Sequence, residues 1–229
     1  MSVRDNYFAI RENMERACAH AGRKIDELTL VAVTKFVEEE RIAQAVDCGA
    51  GDVGENRVQE WQKKRDFFEK HALRMHLIGQ LQTNKVKYII DQGIELIQSV
   101  DRLALAQEIE RQCVLHDCAQ DVLLEVNIGG EEQKGGIREA ELPGLLDDIS
   151  ALSHIRVKGL MCIPPAVGAK EAQGYFAQMR GIFERLSSYK AANVEMRVLS
   201  MGMSGDYMAA IEEGATMVRV GTALFGERN

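Results

Sequence analysis

Short apolar runs and helical stretches alternate along this chain from near its start to its end. Leu28-Thr-Leu-Val-Ala-Val-Thr34 is a β-branched run bounded by charge, and it reads as a buried strand. Further strands are expected at 52–54, 75–79, 94–99, 122–127, 157–161, 196–199 and 216–220. Helical spacing fills the intervals: 38–47, after Asn56, after Asn84, 102–112, 139–152, 171–188 and 205–213. Such alternation implies a parallel sheet covered by helices. About eight units in 229 residues point to a closed (β/α)8 TIM barrel, an α/β fold, rather than an open sheet.

An extra helix precedes the first strand, over about 2–21. Ser2 and Asp5 have capping-box spacing, Val3, Tyr7, Ile10, Met14, Ala17 and Ala21 make one apolar face, and Gly22 ends the helix. The last strand is followed only by residues 221–229, too few for a full outer helix, so the N-terminal helix is expected to fill that gap. Pro143, Pro164, Pro165 and the glycine-rich stretch 129–136 mark loops. No linker or repeat interrupts the pattern, so 1–229 reads as a single domain.

Composition narrows the partners. The apolar share of 46% supports a large core, and the net charge of −7 offers no basic stripe for a polyanion. Nucleic acid is disfavoured as a ligand, although a small phosphate compound needs only one local pocket. No apolar run reaches the ~18–20 residues of a membrane span, and the charged N-terminal segment is unlike a secretory signal. Five scattered cysteines make no disulfide framework and suit a reducing, cytoplasmic setting. Cys113, His116 and Cys118 lack a fourth ligand in sequence, so no metal is expected.

In a barrel of this kind the chemistry lies where the strands end. The first strand leaves into Lys35, on the same side as Val31 and Val33 by strand parity. An amine at an apolar barrel mouth tends to a lowered pKa, the condition for Schiff-base chemistry. On position alone, an ordinary strand-end lysine reaching solvent is the favoured reading. The seventh strand leaves as Leu199-Ser-Met-Gly-Met-Ser-Gly-Asp206, and the eighth carries Arg219 before Gly221-Thr222. A hydroxyl at Ser200, small residues and free backbone N–H groups suit a phosphate, and an arginine inside a β-branched strand calls for an acceptor. Phosphate binding is the favoured reading of these loops, with helix capping and a structural ion pair as the alternative.

Two other patterns carry no site. Gly49-Ala-Gly51-Asp-Val-Gly54 has the spelling of a dinucleotide loop but follows a helix and precedes a strand, the reverse of the order needed. The five histidines stand near no nucleophile elbow, and His76 is expected at the start of its strand in a structural role.

Taken in order, Lys35, Gly54-Glu-Asn56, His76-Leu-Ile-Gly79-Gln-Leu-Gln82-Thr-Asn84-Lys85, Asn127 with Lys134 and Gly136, Leu199–Asp206 and Val218-Arg-Val-Gly-Thr222 carry a resemblance. The chain resembles the pyridoxal phosphate homeostasis proteins over 28–226, a family similar to the barrel domain of alanine racemase. The resemblance implies that Lys35 forms a Schiff base with pyridoxal 5′-phosphate, with Ser200, Gly221 and Thr222 holding the phosphate. It also implies that Arg219 faces the pyridine nitrogen and that Asn56 lies near the ring.

Arg219 bears on what such a site does. A cation beside the ring nitrogen disfavours its protonation and weakens the ring as an electron sink. Racemisation would then need a second base, and Tyr207 is the tyrosine expected near the mouth. A monomeric cofactor holder acting in vitamin B6 homeostasis, which hands the cofactor to apo-enzymes and has no catalytic residues of its own, is the favoured expectation. A pyridoxal-dependent racemase or related enzyme is the alternative.

Overall fold

A computed structural model describes residues 2–227. Its eight strands are β1 (Thr29–Val33), β2 (Asp52–Glu55), β3 (Arg74–Leu77), β4 (Ile94–Val100), β5 (Gln120–Val126), β6 (Ile155–Cys162), β7 (Val194–Ser200) and β8 (Met217–Val220). They pair in parallel and in sequence order, and β8 closes onto β1 through Val31 beside Arg219, so the expected barrel is present. Outer helices are α2 (Glu39–Asp47), α3 (Val58–Lys70), α4 (Leu103–His116), α5 (Leu142–Ser150), α6 (Ala169–Leu186), α7 (Tyr207–Glu212) and the short α8 (Thr222–Phe225). Both faces of the strands are covered, which explains their near-continuous apolar runs.

The extra helix α1 (Val3–His20) opens with the expected capping box: Ser2 Oγ accepts from the Asp5 N–H, and the Asp5 carboxylate accepts from the Ser2 N–H. Val3, Tyr7, Ile10, Met14 and Ala17 are buried against α2, α7 and α8. Asn6 Nδ2 donates to the Leu224 carbonyl at 3.0 Å, and Asn13 Nδ2 donates to Tyr207 Oη at 2.9 Å. This helix therefore packs over the outer side of the barrel beside α7 and α8.

Two intervals differ from expectation. After Asn84 there is only a 3-10 turn, Thr83–Tyr88, because Asp91 and Gly93 both take positive φ (58° and 82°) and end any helix before β4. Pro143 sits in the first turn of α5 rather than in a loop, where its missing N–H costs no helical bond.

Inward-facing positions include two groups. Val31, Leu96, Leu123, Met161 and Met217 form a separate buried apolar cluster. Asp52, His76, Gln98, Ser200 and Arg219 occupy further inward positions, all buried.

Candidate functional site

The first strand ends at Val33, and Thr34-Lys-Phe-Val37 turns sharply, with the Val37 N–H donating to the Thr34 carbonyl at 3.0 Å. Phe36 takes φ 60° at the third position of this turn, a conformation glycine adopts freely and an aromatic residue rarely does. The turn aims Lys35, half-buried, across the C-terminal mouth of the barrel.

Below the turn lies a buried ion pair. Lys64 Nζ, from α3, is 2.7 Å from Glu55 Oε1 and also donates to the Thr34 carbonyl at 2.6 Å, while Thr34 Oγ1 donates to the same carboxylate oxygen at 2.8 Å. Burial pushes the Glu55 carboxyl above its ordinary value, with Lys64 working against it. The residue before Lys35 is thereby tied to both β2 and α3.

Lys35, Arg219, Gly221 and Thr222 line one cavity of about 310 Å³, together with Val33, Val37, Met203, Ser204, Gly205 and Phe225. That volume lies within the roughly 300–1,000 Å³ of small-ligand sites. Arg219 donates through Nη1 to Ser200 Oγ at 2.6 Å and through Nη2 to the Cys162 carbonyl at 2.9 Å, which leaves further N–H groups at the cavity wall. Burial lowers its pKa, yet a guanidinium stays charged.

Of the other expected residues, two lie elsewhere. The hydroxyl of Ser200 is wholly buried inside the barrel between Gln98 and Arg219 and does not line the cavity. Ser204, four residues on, does line it, as Thr222 does. Ser204 Oγ accepts from the N–H groups of Gly221 (3.2 Å) and Ala223 (3.1 Å), which fixes the hydroxyl and leaves its own hydrogen to donate to an anionic oxygen. Asn56 follows β2 at the mouth but lines an adjoining cleft of about 680 Å³ with Phe36, Gln80 and Lys85. Its backbone is packed against Gly79, where a Cβ would collide with the Asn56 carbonyl oxygen.

His76 is the third residue of its short strand, not the first, and its ring lies inside the barrel. Tyr207 begins α7, but its hydroxyl is held by Asn13 on the outer side and is not directed at the cavity. A further inward residue, like Gln98, gave no sequence signal. Glu125, near the end of β5, is 7% exposed, its Oε2 has no hydrogen-bond partner, and burial followed by the charge of Asp101 pushes its pKa up to about 7.

An amine, a guanidinium and a hydroxyl-lined N–H pair around one cavity fit an aldehyde that carries a basic ring and a phosphate. Residues 6–229 match the family described as alanine racemase, N-terminal domain. The chain is 42% identical to the pyridoxal phosphate homeostasis protein of Aquifex aeolicus (strain VF5) over 229 residues, covering 100% of this chain and 99% of that one. It is 35% identical to the protein of the same name from Escherichia coli (strain K12) over 230 residues, covering 99% and 97%. PipY of Synechococcus elongatus PCC7942, solved with PLP bound, superposes with a TM-score of 0.80 at 34% identity, over 93% of this chain and 100% of that one. Alanine racemase from Corynebacterium glutamicum shares the fold alone, at 20% identity and a TM-score of 0.71 over 97% of this chain and 62% of that one. The chain therefore belongs to the pyridoxal phosphate homeostasis proteins, a family built on the alanine racemase N-terminal domain.

Proposed function

We propose that this protein binds pyridoxal 5′-phosphate in the cavity of about 310 Å³ and acts as a reversible holder of it in vitamin B6 homeostasis. The observation that carries this reading is the convergence of Lys35, Arg219, Ser204, Gly221 and Thr222 on that single cavity. When bound, the cofactor supplies an aldehyde that condenses reversibly with a primary amine, water leaving. Lys35 offers the amine, with its backbone fixed by the clamp on Thr34. Arg219 presents a cation to the ring nitrogen and so disfavours its protonation. The Ser204 hydroxyl, whose Oγ accepts from the N–H groups of Gly221 and Ala223 and whose own hydrogen is left to donate, receives the phosphate end beside Gly221 and Thr222. Ser200 contributes from beneath, through Arg219. Asn56 borders the ring side from the neighbouring cleft.

A holder rather than a racemase is supported by Arg219, which weakens the electron sink, and by the outward hydroxyl of Tyr207. We further propose that the protein is a monomer, that it works in the cytoplasm, where its five free thiols suit a reducing setting, and that pyridoxal-dependent apo-enzymes receive the cofactor. No helix among the described residues is long and apolar enough to cross a membrane.

The test is transfer. Protein loaded with the cofactor is mixed with an apo-enzyme, and recovery of activity is compared with free cofactor at matched concentration. Reactivation by the loaded protein, with the aldehyde meanwhile protected from a competing amine, is expected. Rapid exchange of solvent deuterium into the α-position of an amino acid would contradict the holder reading.

A further inference from the structure

Barrels of this class are ordinarily filled by branched apolar side chains. Half of this one holds a file of polar groups instead. Arg219 Nη1 donates to Ser200 Oγ at 2.6 Å, and the Ser200 hydroxyl donates to Gln98 Oε1 at 2.7 Å. Gln98 Nε2 lies 3.2 Å from His76 Nδ1, and His76 Nε2 lies 3.0 Å from Asp52 Oδ1. Asp52 also accepts from Arg74 Nε at 2.8 Å, and the Arg74 side chain is 59% exposed at the opposite end of the barrel. Arg219, Ser200, Gln98, His76 and Asp52 are each 6% exposed or less, so no bulk water substitutes for any of these bonds.

One assignment of hydrogens satisfies the whole file. Arginine only donates, so Ser200 must accept from it and pass its own hydrogen to Gln98 Oε1. The Gln98 amide then presents N–H to His76, whose Nδ1 accepts and whose proton sits on Nε2, facing a carboxylate. Turning the amide over would leave the Ser200 hydrogen without this acceptor and would set a bare Nε2 of the neutral His76 ring against Asp52. From Arg219 to His76 each donor thus points from the mouth to the base. At the base, burial works to raise the Asp52 pKa, but the bonds from His76 and Arg74 overcome it and hold the carboxyl below its ordinary value. The chain of donors ends on an anion, and donors aligned in one sense reinforce one another.

We propose that Gln98 and His76 are positioning residues for Arg219: through Ser200 they fix the lone pair that anchors the guanidinium and so set the face it turns to the cavity. The ligand of that face rests on the pyridoxal phosphate reading above. The file itself belongs to this chain's own residues. An apolar filling would leave Arg219 without its side-chain acceptor, and a buried donor left unpaired is costly.

Two measurements test it, one without cofactor. In the unloaded protein, ¹⁵N NMR of the histidine rings is expected to show His76 protonated at Nε2 and bare at Nδ1. The opposite tautomer would overturn the direction of the file, whatever the protein binds. Pyridoxal 5′-phosphate affinity and the absorbance of the loaded protein are then compared for wild type, Gln98→Leu and Gln98→Glu. The leucine variant removes the acceptor for Ser200, and about tenfold weaker binding with a shifted absorbance band is expected. The glutamate variant keeps an acceptor for Ser200 and, in its buried protonated form, an O–H for His76 Nδ1, and is expected to retain affinity within about threefold, a rescue that plain core filling by leucine would not predict. Unchanged affinity and spectrum in a folded Gln98→Leu protein overturns the proposal. If wild type itself binds no cofactor, the cofactor reading fails separately and the histidine tautomer decides the file; it also decides if Gln98→Leu does not fold.

Discussion

Lys64 Nζ lies 2.6 Å from the carbonyl oxygen of Thr34, the residue immediately before Lys35. The same ammonium pairs with Glu55, whose side chain is wholly buried, so one cation both neutralises a buried carboxylate and pins the turn that presents the site lysine. Removing one member of such a pair strands the other in a dry environment. Lys64→Met is expected to cost about 3–5 kcal/mol. Lys64→Met combined with Glu55→Met should recover much of that loss. Urea midpoints of the single and double variants check this; equal destabilisation in both would show that the charge pairing is not what matters.

The barrel was legible in the sequence because each short strand is followed by its own helical stretch, and α1 was legible from its cap and its apolar face. Lys35 and Arg219 could be found because they stand at or near strand ends, where side chains must face the mouth. Ser204 could not be told from Ser200, since both hydroxyls lie in one small-residue loop. The strand β7 runs to Ser200 itself, which makes that residue the last inward position of the barrel and leaves Ser204 to the loop. Glu125, Gln98 and the inward turn of His76 gave no signal for a different reason. Parallel strands buried on both faces show no polar–apolar alternation, so the inward side cannot be read from pattern.

Ser204 and Ser200 are separable by ligand. Ser204 Oγ sits with the two N–H groups at the phosphate end, whereas Ser200 acts on Arg219. Ser204→Ala is expected to weaken pyridoxal 5′-phosphate binding about tenfold while leaving binding of pyridoxal, which lacks the phosphate, nearly unchanged. Ser200→Ala should weaken both. Isothermal titration with the two ligands gives the comparison, and an equal effect of Ser204→Ala on both would place the phosphate elsewhere.

Glu125 gives the pH dependence. Its pKa in the folded protein, about 7, lies above the ordinary 4.5, because burial first and Asp101 second disfavour the charged form. The folded protein therefore holds an extra proton between these values, and this group's contribution to stability falls as pH rises from about 4.5 to about 7, then levels off. At about 1.4 kcal/mol per pKa unit the decline amounts to about 3 kcal/mol. Glu125→Gln cannot ionise and should lack this decline. Unfolding midpoints measured from pH 4.5 to pH 8 compare the slopes; parallel curves for the two proteins would show that Glu125 keeps its charge at no cost.

The most direct test of the site is covalent. The protein is incubated with pyridoxal 5′-phosphate, treated with borohydride and mapped by mass spectrometry. A single reduced adduct on Lys35 is expected, absent from a folded Lys35→Ala protein together with the visible absorbance. An adduct carried by another lysine, or a colourless protein with no adduct, would contradict the assignment.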